Sequence, residues 1–178
     1  MIGRLTRATL RAKCLPPRET ESMLHEFLIR NRPELIDRCK ESVLKRSSPV
    51  VTAAELDHGV PFFLDQIIKT LGVEQTASPM KSRLVSGPAG GVGHVHSEMG
   101  ESAAKHGAEM MRWGFTVEQV VHDYGDLCQA ITTLAFERGE PVEVDEFRTL
   151  NRCLDNAIAM AVMEYAYQRD MVVADKQV

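Results

Sequence analysis

The chain has 178 residues, 21 Lys+Arg against 25 Asp+Glu, and a formal net charge of −4; 44% of its residues are hydrophobic and 26% are charged. That length suits one domain around a single buried core, and the composition excludes wholesale disorder. The mild acidity argues against a dedicated nucleic-acid binder, and no window approaches the roughly 18–20 consecutive apolar residues of a membrane span.

Residues 1–18 read as a basic N-terminal tail. Arg4, Arg7, Arg11, Lys13 and Arg18 fall in it, no acid precedes Glu19, and Pro16-Pro17 lie near its end. An acid-poor start of this kind is also found in organelle transit peptides, but a loosely ordered tail is the simpler expectation. From residue 19 to 178 the chain reads as one helical domain. A first helix covers roughly 20–30. Asn31 is the expected N-cap of the next, with Pro33 in its first turn and Glu34 at the capping-box position. It runs to about Lys45, where Ser-Ser-Pro stops it. A third begins at Thr52-Ala-Ala-Glu55, a full capping box, and places Leu56, Val60, Phe63, Leu64, Ile67 and Leu71 at helical spacing. Pro61 interrupts that stripe and requires a kink or break, because it has no N–H for the carbonyl of Asp57. Gly72 is expected to end the helix.

Residues 72–96 are rich in Gly, Pro and Ser without a stable period, and are read as a flexible connection. No GKS or GKT follows the glycines, so this is not a phosphate loop. Helix resumes near Ser97 and continues to about Gly114. Its stripe of Met99, Ala103, Gly107 and Met110 is small enough to let another helix backbone approach closely. Thr116 and Gln119 form a second capping box. The helix they open places Val117, Val120, Val121, Tyr124, Leu127, Cys128, Ile131 and Leu134 on one face, before Gly139 and Pro141 end it. The last helix starts at Asp145 and meets no breaker until Arg169 or beyond, with Phe147, Leu150, Leu154, Ala157, Ile158, Ala161 and Tyr165 as its stripe. Residues 145–178 thus form an exit helix. No segment alternates as a strand does. The expected fold is all-α.

Several of these residues, in this order, resemble one family. His58-Gly59-Val-Pro61-Phe-Phe-Leu64-Asp65-Gln66 comes first, then His106-Gly107 and Gly114-Phe115-Thr116. Val120-Val-His-Asp-Tyr124-Gly-Asp-Leu127, Asn151-Arg-Cys-Leu-Asp155-Asn-Ala-Ile158 and Glu164-Tyr165 follow. Over about residues 20–170 the chain is similar to the RsbRD-type (RsbR-like) N-terminal sensor domain, most of all to its branch in bacterial sensor histidine kinases. The resemblance implies a globin-like bundle of about six helices without haem, forming a homodimer. It also implies a sensory and dimerisation input role in two-component signal transduction, with a kinase output module in the parent chain. The basic leader lies outside the family pattern, and 72–96 falls where the family varies.

His122 is followed by an acid, as a phosphoacceptor is, but Gly125-Asp126-Leu127 replaces the basic residue and Pro that such a box carries. A solvent-facing or dimer-facing His122 is the simpler reading. His106 flanks the small-residue stripe, where a structural histidine bonded to a neighbouring helix is favoured over a haem ligand. His94, His96 and Glu98 alternate as zinc ligands could, yet no further ligand is near, so no metal is expected. His58, His106 and Tyr124 are the candidate lining of a small-ligand pocket beside the Pro61 break, set against a simple helix bend. Phe62, Met160 and Met163 are candidate dimer contacts. Cys14, Cys39, Cys128 and Cys153 form no CxxC pair and are expected as reduced thiols in a cytoplasmic protein. No nucleophile–base constellation can be assembled, so the chain itself is not expected to be an enzyme, and no cofactor is implied. The alternatives are an RsbR-like partner-binding protein of stressosome type and a histidine phosphotransfer protein using His122.

Overall fold

The helical spacing of the sequence is realised as seven α-helices in a computed structural model, which describes residues 23–46, 59–91 and 96–176. They are α1 (Leu24–Arg30), α2 (Arg32–Leu44), α3 (Val60–Glu74), α4 (Ser82–Ser86), α5 (Glu98–Arg112), α6 (Val117–Arg138) and α7 (Val144–Asp175). No strand occurs among the described residues, and the fold is all-α. None of these helices is long and apolar enough to cross a membrane. The basic tail, the Thr52–Glu55 box, His58 and His94 lie outside the described residues.

One core collects the apolar faces of the long helices. Leu24, Phe27 and Leu28 of α1, Leu35 of α2, Leu64, Ile67 and Leu71 of α3, Leu127, Ile131 and Leu134 of α6, and Leu150 of α7 are all almost fully buried. Burial of each such side chain contributes roughly 1.5–3 kcal/mol. Three expected stripe residues are instead exposed: Val117 (41%), Val121 (39%) and Phe147 (42%). Their neighbours Val120, Glu146 and Leu150 are buried, so these helix starts are packed; the three side chains fall to one side of the buried face.

Local chemistry explains most helix ends. Thr116 accepts from the Gln119 backbone N–H at 3.3 Å while the Gln119 side chain accepts from the Thr116 N–H at 2.8 Å, so the second capping box forms as read. Ser97 caps α5 by accepting from the Gly100 N–H at 3.1 Å. Glu146, buried in α7, serves two starts at once. Its carboxylate accepts the Leu24 N–H at 2.7 Å at the head of α1 and the Glu143 N–H at 3.2 Å at the head of α7.

Asn31 departs from expectation. It stands between α1 and α2, but its side chain makes no capping bond; its amide donates to the Phe27 carbonyl at 2.8 Å, and its oxygen accepts from Arg138. Glu34 likewise pairs with Arg38 and Arg138 rather than closing a capping box. Pro61 acts as the chain break the sequence requires: α3 starts at Val60, with Pro61 in its first turn. Gly72, however, does not end α3, which continues to Glu74, a residue whose carboxylate is held by Ser82, Thr149 and Arg152.

The 72–96 connection is more structured than its composition implies. Residues 79–81 form a 3-10 turn that leads into α4, and residues 89–91 form another turn. Val85 is buried, and the Asn156 amide on α7 donates to the carbonyls of Ser86 (2.6 Å) and Pro88 (3.0 Å). One apolar anchor and a few side-chain bonds to backbone suffice to fix a segment without hydrophobic period.

The small-residue stripe of α5 does what its composition demands. A Cβ built on Gly107 would stand 2.1 Å from the Ala161 carbonyl oxygen, so the α5 and α7 backbones touch there. Met99, Ala103, Gly107 and Met110 are all buried. α7 has 32 residues, about 48 Å at 1.5 Å per residue. Leu150, Leu154, Ala157 and Ala161 are buried, Ile158 and Tyr165 are half-buried, and Tyr167, Met171, Val172 and Val173 are exposed.

Candidate functional site

Two neighbouring residues of α5 face different ways. Gly107 meets α7, whereas His106 lines a cleft of about 760 Å³ between the start of α3, α5 and α6. Tight packing at the stripe therefore leaves room beside it. Pro61 and Phe62 at the head of α3, Phe63 and Gln66 further along it, Ser102 and His106 on α5, and Asp123 and Tyr124 on α6 all contribute to the walls. Of the three predicted lining residues, His106 and Tyr124 come together here. His58 lies outside the described residues.

Tyr124 sits between two rings. Its ring meets Phe63 edge-on at 4.9 Å between centroids and His106 edge-on at 5.8 Å, contacts of the favourable T-shaped kind. Burial, and after it the charge of Asp123, pushes the Tyr124 hydroxyl well above its usual range, so it stays protonated. His106 Nε2 lies 3.5 Å from the Asp123 carboxylate on α6, while its Nδ1 is buried with no hydrogen-bond partner. His106 thus faces the neighbouring helix at Asp123.

Behind that pair is a charge cluster. Arg46, just past the end of α2, donates to both Asp123 and Asp126, three residues apart on one face of α6. The three side chains are 18%, 11% and 25% exposed. The same acids, after burial itself, push the Cys39 thiol up to about 12. Burial also raises Cys128, and takes Cys153 up to about 12, so all three described thiols are held as unreactive SH groups.

Gln66 is the residue that sequence reasoning missed as a site. It is 5% exposed and lines the cleft; its Oε1 faces the Ser102 hydroxyl at 3.0 Å, and its Nε2 is buried without a partner. The available signal was a polar side chain within the apolar stripe of α3, between Phe63 and Ile67. Of the candidate dimer contacts, Phe62 is 58% exposed at the cleft wall, while Met160 and Met163 on α7 are 37% and 57% exposed. His122 is exposed on α6, away from the buried face, 3.6 Å from Glu118. His96 is exposed and 3.7 Å from Glu101. Among the described residues, no group of three His, Cys, Asp or Glu side chains could hold a metal ion.

A second, more polar depression of about 570 Å³ is lined by residues of α3 and α7. At its base Glu74 accepts from Thr149, Arg152 and, at 2.8 Å, Ser82. Burial opposes the Glu74 charge, but these three hydrogen bonds outweigh it and hold the carboxyl below its ordinary 4.5. A carboxyl depressed in the folded state contributes stability above its unfolded pKa and loses it as pH falls through the folded value. Thermal melts taken between about pH 5 and 3 should therefore show a fall in Tm that is shallower in Glu74→Gln. Parallel curves for the two proteins would rule out this contribution.

Comparison with protein-family models, with curated proteins and with solved structures finds no match for the chain.

Proposed function

We propose that this chain is the sensory input and dimerisation domain of a two-component histidine kinase, of the RsbR-like, globin-like type that its sequence resembles, with no catalysis of its own. The observation that carries this reading is the adjacency of His106 and Gly107. The first lines the ligand-sized cleft and the second presses against the α7 backbone, so a displacement of α5 at the cleft is passed directly to α7. Close-packed helices transmit such shifts because their contact is not continuously deformable. α7 then carries the shift along a single helix to an end whose Tyr167, Met171, Val172 and Val173 are exposed. An apolar run on an exposed helix end fits a contact with a second copy and, beyond it, an output module in the parent protein.

Two substitutions on α7 separate its two tasks. Met163→Glu introduces a charge at a position that is 57% exposed in the single chain. It should shift sedimentation from dimer toward monomer while leaving helical circular dichroism unchanged. Leu154→Ala, at a core position 7% exposed, should cost roughly 2–5 kcal/mol of fold stability instead. A wild-type protein that sediments as a monomer at tens of micromolar would overturn the dimeric part of the proposal.

A further inference from the structure

The cleft beside His106 has the volume of a small-molecule site, about 760 Å³, and its wall is of two kinds. Val60, Phe62, Phe63, Ala103, Tyr124 and Leu127 make an apolar part. Phe62 keeps 58% of its surface open there, an aromatic ring left without cover at the head of α3. The charged part is acidic. Asp65 on α3, Glu98, Glu101 and Glu109 on α5, and Asp123 on α6 line the cleft, and Lys105 is the one lysine or arginine among its lining residues.

The partners of these acids do not cancel that asymmetry. Arg32 holds Asp65 at 2.7 Å, Lys69 holds Glu98 at 2.6 Å and Arg46 holds Asp123, but none of the three cations belongs to the wall. Lys105 stands 3.9 Å from Glu109, too far for a hydrogen bond. Glu101 meets no lysine or arginine among the described residues; its neighbour is the His96 ring at 3.7 Å. A cleft lined by one sign of charge between apolar walls focuses the field and concentrates ions of the opposite sign. Open aromatic surface adds to this, because a cation over a ring face is attracted by it. An anion would meet five carboxylates, and an uncharged molecule would gain from neither effect.

We infer that this cleft binds a small organic cation, an ammonium group carried on an apolar body, with the body against Phe62 and Phe63 and the ammonium drawn to the carboxylates of α5. This rests on the reading of the cleft as the input site. Glu101 and Glu109 share their helix with Gly107, so a cation acting on them acts on the helix that presses against α7.

Phenethylammonium is a suitable probe. 2-Phenylethanol is its uncharged counterpart, and 3-phenylpropionate is an anion with the same ring. Titration of the full chain followed by NMR should show saturable phenethylammonium shifts at Phe62 and Tyr124, with half-saturation at about 1 mM or below. The alcohol should bind about tenfold more weakly and the anion more weakly still. Raising the salt from about 0.05 to 0.5 M should weaken the amine several-fold and leave the alcohol unchanged.

Glu101→Gln and Phe62→Leu alter exposed side chains, so the melting temperature should be retained in both. Each should weaken the amine about threefold, and the double variant about tenfold. Glu101→Gln should not change the affinity for the alcohol, which a general distortion of the cleft would. Alcohol or anion binding as tight as the amine, or unchanged amine affinity in the double variant, would overturn the ligand class while leaving the cleft an input site. Saturable amine binding that leaves the Ala161 amide unshifted would support the ligand class and overturn the input reading. Absence of shifts from all three probes would overturn both.

Discussion

Gly107→Ala is expected to destabilise the protein by about 3 kcal/mol or more, the upper range of overpacking effects. In an ordinary helix interior the same change stabilises, by roughly 0.5–1 kcal/mol, because alanine loses less backbone entropy on folding. Here the new methyl carbon would meet the Ala161 oxygen at 2.1 Å, its carbonyl carbon at 2.8 Å and its Cα at 2.9 Å. All three are backbone atoms of α7, so no rotamer change relieves the collision and α7 itself must move away. Gly125→Ala on α6 is the control. Nothing lies within 4 Å of its added Cβ, so it should show the ordinary gain. Urea midpoints should therefore move in opposite directions for the two variants. A Gly107→Ala protein as stable as wild type would mean that α5 and α7 do not touch as described, and the route from cleft to α7 would fail with it.

Arg46→Met is expected to cost about 3 kcal/mol of stability. Removing one partner of a buried ion pair typically costs 3–5 kcal/mol, and the partial exposure of this cluster places it at the low end. Without the guanidinium, the carboxylates of Asp123 and Asp126 stand three residues apart on α6 with their cation gone and water only partly admitted. Replacing both acids as well, in Arg46→Met with Asp123→Asn and Asp126→Asn, should recover most of the stability, because the penalty comes from unpaired charge and not from lost volume. Denaturant titrations of the single and triple variants decide the point. A triple variant no better than Arg46→Met would show that the cluster acts through packing.

Secondary structure was legible wherever it depended on neighbours in sequence. The Thr116–Gln119 box, the Pro61 break and the Gly139 stop rest on contacts within four residues, and each forms as the sequence dictates. Asn31 failed for the complementary reason. Arg138, more than a hundred residues away, takes its side-chain oxygen, and a distant cation outcompetes a local N–H. α4 was illegible because one valine and a set of bonds from α7 define it, with no periodic signal of its own.

The candidate site divides along the same line. The sequence by itself determined an all-α chain, the small-residue face of α5, the burial of Tyr124, and the placing of His106 beside that face. It could not determine that Gln66, Ser102, His106 and Tyr124, drawn from three helices, would leave two polar atoms unpaired around one cleft. Gly107 and Gly125 look alike in sequence, each a glycine within a helical stretch. Only the tertiary structure sets one against a backbone and the other in open space, because close approach is a property of two helices and sequence periodicity describes one.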